Sequence, residues 1–303
     1  MTRGLPGQPE AGTRKRDGHA AARTRYHERM TRPFAVPLLA ILVAASFAAA
    51  QQNPRRAPAP PPARPAAPLP GLDLVDTAPY ARCLERAASA PLAAFNEAEA
   101  WRARGGGEAA RHCAALAILN GGDPKLAAEE LESLARAMRL RPPRLRAQVL
   151  SQAARAWSAA DDARRAEAAI STAISLAPED VELRIDRAEI RAEAGAPREA
   201  IDDLDHVLQR APRRADVLAM RAAAHRRLSA LDRAAQDVAR ALEIDPNLPE
   251  AWLEKGILAR LAGRKDDARG AWIRVLAADP DGPAGDAARS QIEALELDAP
   301  ARR

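Results

Sequence analysis

Aromatic residues and cysteine are scarce in this sequence of 303 residues, which has three Phe, four Trp, two Tyr and two Cys. A surface that stacks nucleic-acid bases needs several aromatic rings, so the composition excludes a surface of this kind. Runs of β-branched residues do not recur, which argues against a protein built from β-sheet. Alanine occurs throughout the chain, and the sequence therefore predicts an all-α protein.

Motifs of enzymes and metal sites are also missing. The sequence contains no Gly-x-Ser-x-Gly, no His-Glu-x-x-His and no phosphate-binding loop. Gly105, Gly107 and Ala110 have the spacing of a dinucleotide-binding turn, but no predicted strand precedes them. The stretch from Asp279 to Gly282 resembles the start of a calcium loop, but the remaining ligands are absent. We therefore expect no catalysis, no cofactor and no bound metal.

The net charge of +5 arises in the first fifty residues, which hold eight Lys or Arg and three Asp or Glu. The rest of the sequence has equal numbers of basic and acidic residues. The basic isoelectric point is therefore a property of the N-terminus and does not indicate a nucleic-acid surface. We expect no nucleic-acid partner.

A largely apolar run covers positions 34–50 and follows Arg29 and Arg32. It ends in three alanines, which provide the small residues of a signal-peptide cleavage site. The pattern predicts a secretory signal peptide that is cleaved after Ala50, and hence a periplasmic or secreted protein without a stable membrane span. The alternative is an uncleaved segment that anchors the protein in the inner membrane.

The predicted signal peptide lies unusually far from the first residue. Met30 begins a segment with the ordinary length and layout of a signal peptide, which predicts that translation starts there. Residues 1–29 are polar and basic, and the alternative is that they form a translated extension.

A proline-rich segment covers residues 51–71. Proline fixes the backbone torsion φ and removes a hydrogen-bond donor, which favours polyproline II. The segment is predicted to be a semi-rigid linker between the signal peptide and the folded part of the chain.

A sequence repeat runs through the C-terminal half of the chain. Prolines recur at one constant interval, at Pro178, Pro212, Pro246 and Pro280. Small residues stand twelve positions before each proline, at Ala166, Ala200, Ala234 and Ala268. A second set of small residues stands twenty-four positions before each proline, at Ala154, Ala188, Ala222 and Gly256. Because small side chains let two helices approach closely, each unit is predicted to be a helical hairpin.

This pattern resembles the tetratricopeptide repeat, a helix–turn–helix unit of about 34 residues. The resemblance implies an all-α, right-handed solenoid of stacked hairpins with four repeats, at 147–180, 181–214, 215–248 and 249–282. Degenerate hairpins of the same kind are expected within 72–146, and a capping helix and tail within 283–303. Ser229 is expected to cap the helix that begins near Ala230.

Three units depart from the family pattern at one position. The family has an apolar residue there, whereas this sequence has Arg187, Arg221 and Lys255. These charges are expected to change the chemistry of the repeats and to leave the fold unchanged.

Cys83 and Cys113 are separated by close to one repeat length. Equivalent helices of neighbouring repeats lie side by side in the family, so the resemblance implies that the two thiols face each other. We expect a disulfide that stabilises the weakest hairpins in an oxidising compartment. His112 has no metal ligands near it in the sequence and is expected on a helix surface, whereas His225 is expected to be partly buried.

The first helix of each repeat lines a concave groove in the tetratricopeptide family, and this groove takes an extended peptide or a partner helix. The resemblance implies that seven groove residues contact the partner here: Arg155, Glu182, Glu189, Arg226, Arg227, Leu253 and Arg260. We expect Arg226, Arg227 and Arg260 to anchor acidic groups. The chaperone-binding members hold a terminal carboxylate with Lys and Asn, which this sequence lacks at the matching positions.

The sequence thus predicts an exported scaffold or adaptor of the cell envelope whose partner is a protein or peptide. The alternative is a module that binds cell-wall or surface polysaccharide and is tethered by the linker at 51–71. Few aromatic side chains are available to stack on sugars, which favours the polypeptide partner.

Overall fold

The computed structural model describes residues 77–297. The predicted signal peptide at 34–50 and linker at 51–71 lie outside the described residues, as do residues 298–303. Thirteen α-helices and no strand form the described part of the chain, which confirms the predicted all-α fold. None of these thirteen helices is both long and apolar enough to cross a lipid bilayer.

The helices follow one another with short connections. They are α1 (Thr77–Ser89), α2 (Pro91–Ala103), α3 (Gly107–Asn120), α4 (Pro124–Ala137), α5 (Pro143–Ala159), α6 (Ala163–Leu176), α7 (Val181–Glu193), α8 (Pro197–Arg210), α9 (Ala215–Arg227), α10 (Leu231–Ile244), α11 (Pro249–Leu261), α12 (Lys265–Ala278) and α13 (Pro283–Leu297). Proline occupies the first turn of α2, α4, α5, α8 and α11. A backbone N–H in the first turn has no acceptor within the helix, so proline, which lacks this group, is tolerated there.

The first twelve helices pair in sequence order into six hairpins. The two helices of each hairpin pack against each other, and the second helix packs against the first helix of the next hairpin. First helices also contact one another, as α5 contacts α7 and α9 contacts α11. Each hairpin therefore buries its apolar side chains against its neighbours, as in a stacked solenoid.

Left-handed residues form the turns between the two helices of the four C-terminal hairpins. Asp161, Gly195, Ser229 and Gly263 follow one another at intervals of one repeat and have φ values of 58°, 79°, 59° and 76°. The residue before α10 is Ala230, and no side chain caps this helix. The prediction that Ser229 caps α10 is wrong. Ser229 adopts the left-handed conformation of the turn, and the N-cap position of α10 is occupied by Ala230, the next residue.

Small side chains allow the two helices of each hairpin to approach closely. The first helices of three hairpins have buried alanines at the contact: Ala154, Ala188 and Ala222. The first helix of the last hairpin, α11, has Gly256 at this position, and Gly256 faces the fully buried Trp272 of α12. A Cβ atom at position 256 would lie 2.2 Å from Nε1 of this indole. Only glycine at position 256 leaves room for the large ring.

The last helix, α13, covers the C-terminal hairpin. Ala284, Ala288 and Leu295 of this helix are buried in one cluster with Trp272 and Val275 of α12. The apolar side of α12 therefore has a partner although no further hairpin follows it in the described residues. This is the arrangement expected of a capping helix.

A disulfide joins the first helices of the two N-terminal hairpins. Cys83 of α1 and Cys113 of α3 are bonded, and their Cα atoms are 6.1 Å apart. Both cysteines are buried. The cross-link spans 30 residues of sequence and encloses all of α2.

His112, next to the disulfide, is fully buried, so the prediction of a helix-surface histidine is wrong. The reason is that α3 lies between α1 and α5. The hydroxyl of Tyr80 on α1 lies 2.8 Å from Nδ1 of His112, and Nε2 of the ring is hydrogen-bonded to Oε1 of Gln152 on α5. Burial lowers the pKa of His112 to about 4, although the hydrogen bond to Gln152 opposes this shift.

We expect Gly256→Ala to lower the free energy of unfolding by about 1–3 kcal/mol, because the added methyl group must displace Trp272. Gly270→Ala is the matched control, since Gly270 lies in the same hairpin and a Cβ atom there meets nothing within 4 Å. The control should raise the free energy of unfolding by about 0.5–1 kcal/mol. Urea unfolding followed by circular dichroism measures both effects. Changes of the same sign in the two variants would show that the contact with Trp272 does not constrain position 256.

Acid should destabilise the protein through His112. Between the ordinary pKa of 6.5 and the folded-state pKa of about 4, the unfolded chain binds a proton at this ring and the folded chain does not. The free energy of unfolding therefore falls as the pH falls through this window, by up to about 1.4 kcal/mol per pH unit. Urea titrations at several pH values should show a steeper fall for the parent protein than for His112→Gln. Parallel curves for the two proteins would contradict this origin of the acid sensitivity.

Candidate partner-binding face

The exposed sides of α5, α7, α9 and α11 form one surface, and all seven predicted contact residues belong to these helices. This surface is the first-helix face. Arg155, Glu182, Glu189 and Arg227 are exposed on it, whereas Arg226, Leu253 and Arg260 are half-buried. Polar side chains extend from each of the four helices to the next, so the surface is continuous.

Two side chains of α5 bind one carboxylate of α7. The guanidinium of Arg155 donates to Oδ1 of Asp186 at 2.5 Å, and the hydroxyl of Ser151 donates to Oδ2. Asp186 is only 7% exposed, so these bonds replace its contact with water. Further along the same helices, Ser158 donates to the carboxylate of Glu193 at 2.6 Å.

Arg214, immediately before α9, binds two carboxylates at once. Its guanidinium donates to Glu182 of α7 at 2.6 Å and to Asp216 of α9 at 2.7 Å. The hydrogen bonds to Asp216 and Glu182 raise the pKa of Arg214, and the bond to Arg214 lowers the pKa of Asp216. Glu182 keeps a side-chain exposure of 60%, so its carboxylate also faces solvent.

Two neighbouring arginines connect α9 to the helices on either side. Arg226 donates through Nε and Nη2 to the two oxygens of Glu254 on α11, at 2.6 and 3.0 Å. Glu254 is 7% exposed, and such a bidentate pair satisfies a buried carboxylate well. Arg227 donates to the backbone carbonyl of Ala192 on α7. We expected Arg226 to anchor an acidic group of a partner, but Glu254 already accepts its two hydrogen bonds.

The remaining predicted residues differ in their surroundings. Leu253 packs against the buried cluster around Trp272 and is only partly accessible. Nε of Arg260 is buried and has no hydrogen-bond partner within residues 77–297. Glu189 lies exposed in the middle of α7.

The buried carboxylates of this face are functional candidates that sequence reasoning missed. Asp186 and Glu254 are two repeat lengths apart, which places them at the same position of the second and fourth repeats. The third repeat has Met220 at this position. The sequence pattern that identifies them is an acidic residue at this position of a first helix, together with an arginine on the first helix of the preceding repeat.

Buried ion pairs also explain the arginines at the usually apolar position. Arg187 donates to both carboxylate oxygens of Asp203 on α8, at 2.5 and 2.8 Å. Arg221 binds Asp237 on α10 in the same way, at 2.7 and 2.8 Å, and these hydrogen bonds raise the pKa of Arg221. Each pair is separated by 16 residues and lies inside its own hairpin. The last hairpin, formed by α11 and α12, has no such acid, and its Lys255 lies over the ring of Trp252 at 4.3 Å.

Charged and polar side chains make up much of the first-helix face. Within residues 77–297, no group of three or more His, Cys, Asp or Glu side chains is placed to hold a metal ion. Arg155, Arg214 and Arg226 each form an ion pair with a carboxylate of the first-helix face. Such a surface offers shape, charge and hydrogen-bond partners to another molecule.

Comparison with known proteins finds a family model that matches part of the chain. Residues 152–225 match the family model described as "Tetratricopeptide repeat". A tetratricopeptide repeat protein from Parabacteroides merdae ATCC 43184 has a TM-score of 0.57 and 12% identity, covering 72% of this chain and 84% of that chain. The pilF protein of Pseudomonas aeruginosa has a TM-score of 0.51 and 17% identity, covering 71% of this chain and 96% of that chain. No curated protein sequence matches the chain. At these identities the two solved structures establish a shared fold.

We expect Arg226→Ala to lower the free energy of unfolding by about 3 kcal/mol, because it leaves the buried carboxylate of Glu254 without its cation. Arg227→Ala is the matched control on the same helix, and it should change stability by less than about 1 kcal/mol, since Arg227 is exposed and bonds a backbone carbonyl. The double variant Arg226→Met, Glu254→Met should recover most of the loss. Chemical denaturation of the three variants measures these differences. Equal losses for the two single variants would show that the pair with Glu254 does not support the fold.

Proposed function

We propose that this tetratricopeptide repeat protein is an exported scaffold that binds a polypeptide segment of an envelope protein on the first-helix face. The continuity of this face carries the proposal. Contacts between first helices connect α5 to α7, α7 to α9, and α9 to α11, so one extended ligand can meet several repeats at once. A surface whose side chains are already held by neighbours loses little conformational freedom on binding.

Two features support an exported location. The apolar run at 34–50 has the pattern of a cleaved signal peptide. The Cys83–Cys113 disulfide is of a kind that persists in the periplasm or outside the cell. We propose the periplasm as the compartment, with the linker at 51–71 separating the signal peptide from the repeats.

The variant that tests the binding face must leave the ion pairs intact. Charge reversal at Arg226 would oppose Glu254 and disturb the fold, so it is unsuitable. Ala223 is half-buried on α9 and lies one repeat after Glu189, in the centre of the first-helix face. Ala223→Trp should therefore obstruct this face. Ala235→Trp on the exposed side of α10 is the matched control.

We expect in-cell crosslinking of the full-length protein, followed by affinity capture and mass spectrometry, to enrich envelope proteins with the parent and with Ala235→Trp. Ala223→Trp should reduce this enrichment at least about tenfold, because the indole occupies the binding face. The same spectra should show a mature chain that begins at Gln51. Equal capture by both variants would place the interface elsewhere, and no enriched protein with the parent would overturn the scaffold proposal.

A further inference from the structure

We infer that the first-helix face holds a carboxylate of its partner at Arg260, where α11 meets α13, and an apolar side chain of the same segment on Leu253 and Ile257. This inference rests on the proposed function and adds the chemistry of the partner. It follows from the repeat position of Arg260, from the charges around this residue and from its apolar neighbours.

Arg260 has the repeat position of a paired arginine but lacks the matching acid. It lies one repeat after Arg226 in the sequence. Arg226 donates to both carboxylate oxygens of Glu254, which is 28 residues further along the chain. The residue at the same distance after Arg260 is Ala288, which is fully buried and has no polar side-chain atom. A methyl group therefore stands where the preceding repeat has a carboxylate.

A second contact made from this repeat position is also apolar at Arg260. Ser158, three repeats before Arg260, donates to Glu193, which is 35 residues further along the chain. The corresponding residue after Arg260 is Leu295, which is 6% exposed. Nε of Arg260 and Oε1 of Gln291 on α13 are both buried without a hydrogen-bond partner in the described part of the chain. A buried donor without a partner is unfavourable, and a neutral carboxamide cannot balance the charge of a guanidinium.

The carboxylates of α11, α12 and α13 do not neutralise Arg260. Four of them are already paired with arginines: Glu254 with Arg226, Asp267 with Arg264, Asp286 with Arg289, and Glu296 with Arg269. Glu250, Asp266 and Glu293 are exposed, and within residues 77–297 none of them forms an ion pair with Arg260. The guanidinium therefore keeps its charge and its donors for an external acceptor.

The other exposed charges of the face favour an anion at this end. Arg227 on α9 is exposed and donates to a backbone carbonyl, which leaves its positive charge in place. The exposed glutamates of α7, which are Glu182, Glu189 and Glu193, lie two repeats before α11. An acidic group of a partner is thus attracted to the α11 end of the face.

Leu253 and Ile257 lie on the same side of α11 as Arg260, at helical spacings of four and three residues. Both are half-buried and pack against the cluster around Trp272. They precede Arg260 by about 10.5 and 4.5 Å along the helix axis. In an extended segment, side chains two residues apart are separated by about 7 Å, which lies between these values. An acidic residue with a large apolar residue two positions away therefore matches the three side chains.

Fluorescence anisotropy of three labelled peptides tests the inference with the full-length protein. Each peptide has leucine two residues before a test position. The first has glutamate there and an amidated C-terminus, the second has glutamine there and an amidated C-terminus, and the third ends there in alanine with a free carboxylate. We expect a carboxylate peptide to bind at least about tenfold more tightly than the glutamine peptide at low salt, because a charged acceptor strengthens the hydrogen bonds. The tighter carboxylate peptide shows whether a side chain or a chain terminus is preferred.

Arg260→Gln should remove the preference for carboxylate, because the amide keeps a donor and loses the charge. Arg240→Gln is the matched control, since it makes the same change at an exposed site of α10, and it should keep the preference. Urea unfolding should give the same midpoint for Arg260→Gln and for the parent, because Arg260 has no internal ion pair to lose. A lower midpoint for Arg260→Gln would show that the fold uses this charge and would overturn the inference.

The peptide outcomes separate the inference from the proposed function. Equal binding of the three peptides by the parent overturns the inference, and so does a preference that survives Arg260→Gln or disappears in Arg240→Gln. A preference that appears only in Asp298→Asn assigns Arg260 to a carboxylate of the chain itself and also overturns it. In each case, capture of envelope proteins that Ala223→Trp reduces would still support the binding face. Capture that Ala223→Trp leaves unchanged would overturn the proposed face and, with it, the inference.

Discussion

The closeness of the two helices in each hairpin is the constraint on which the rest of the structure depends. Alanine at the contact position lets α5, α7 and α9 approach their second helices, and in α11 only glycine leaves room for Trp272. Close helices leave no space for water, so their remaining side chains interdigitate. Because each hairpin then presents a similar outline to the next, the hairpins stack, and their first helices form a continuous surface.

Charged residues form ion pairs inside this array as well as on its surface. The pairs Arg187–Asp203 and Arg221–Asp237 lie within the second and third repeats, and Asp186 and Glu254 receive arginines from the preceding first helix. Many arginines that a sequence offers as ligand anchors are therefore committed to the protein itself.

The fold was predictable because its determinants recur once in every repeat and each repeat confirms the others. The errors concern positions whose surroundings come from elsewhere in the chain. His112 is buried because α1 and α5 cover α3, and nothing near it in the sequence shows this. From the sequence alone, Arg226 is interpreted as an anchor for an acidic group of a partner. In the structure it pairs with Glu254, which lies on the first helix of the following repeat. The repeat register placed the seven residues on first helices, whereas their hydrogen-bond partners could not be predicted from the sequence.

The disulfide between α1 and α3 determines how the array transmits mechanical force. A pull on the chain before α1 reaches Cys83 after about two turns of helix and then passes through the covalent bond to Cys113 in the second hairpin. All of α2 lies within the loop that the bond closes, so the load bypasses it. The first hairpin cannot be drawn away from the second as an extended strand of chain. The disulfide thus protects the N-terminal end of the array from unravelling when the chain before α1 is pulled.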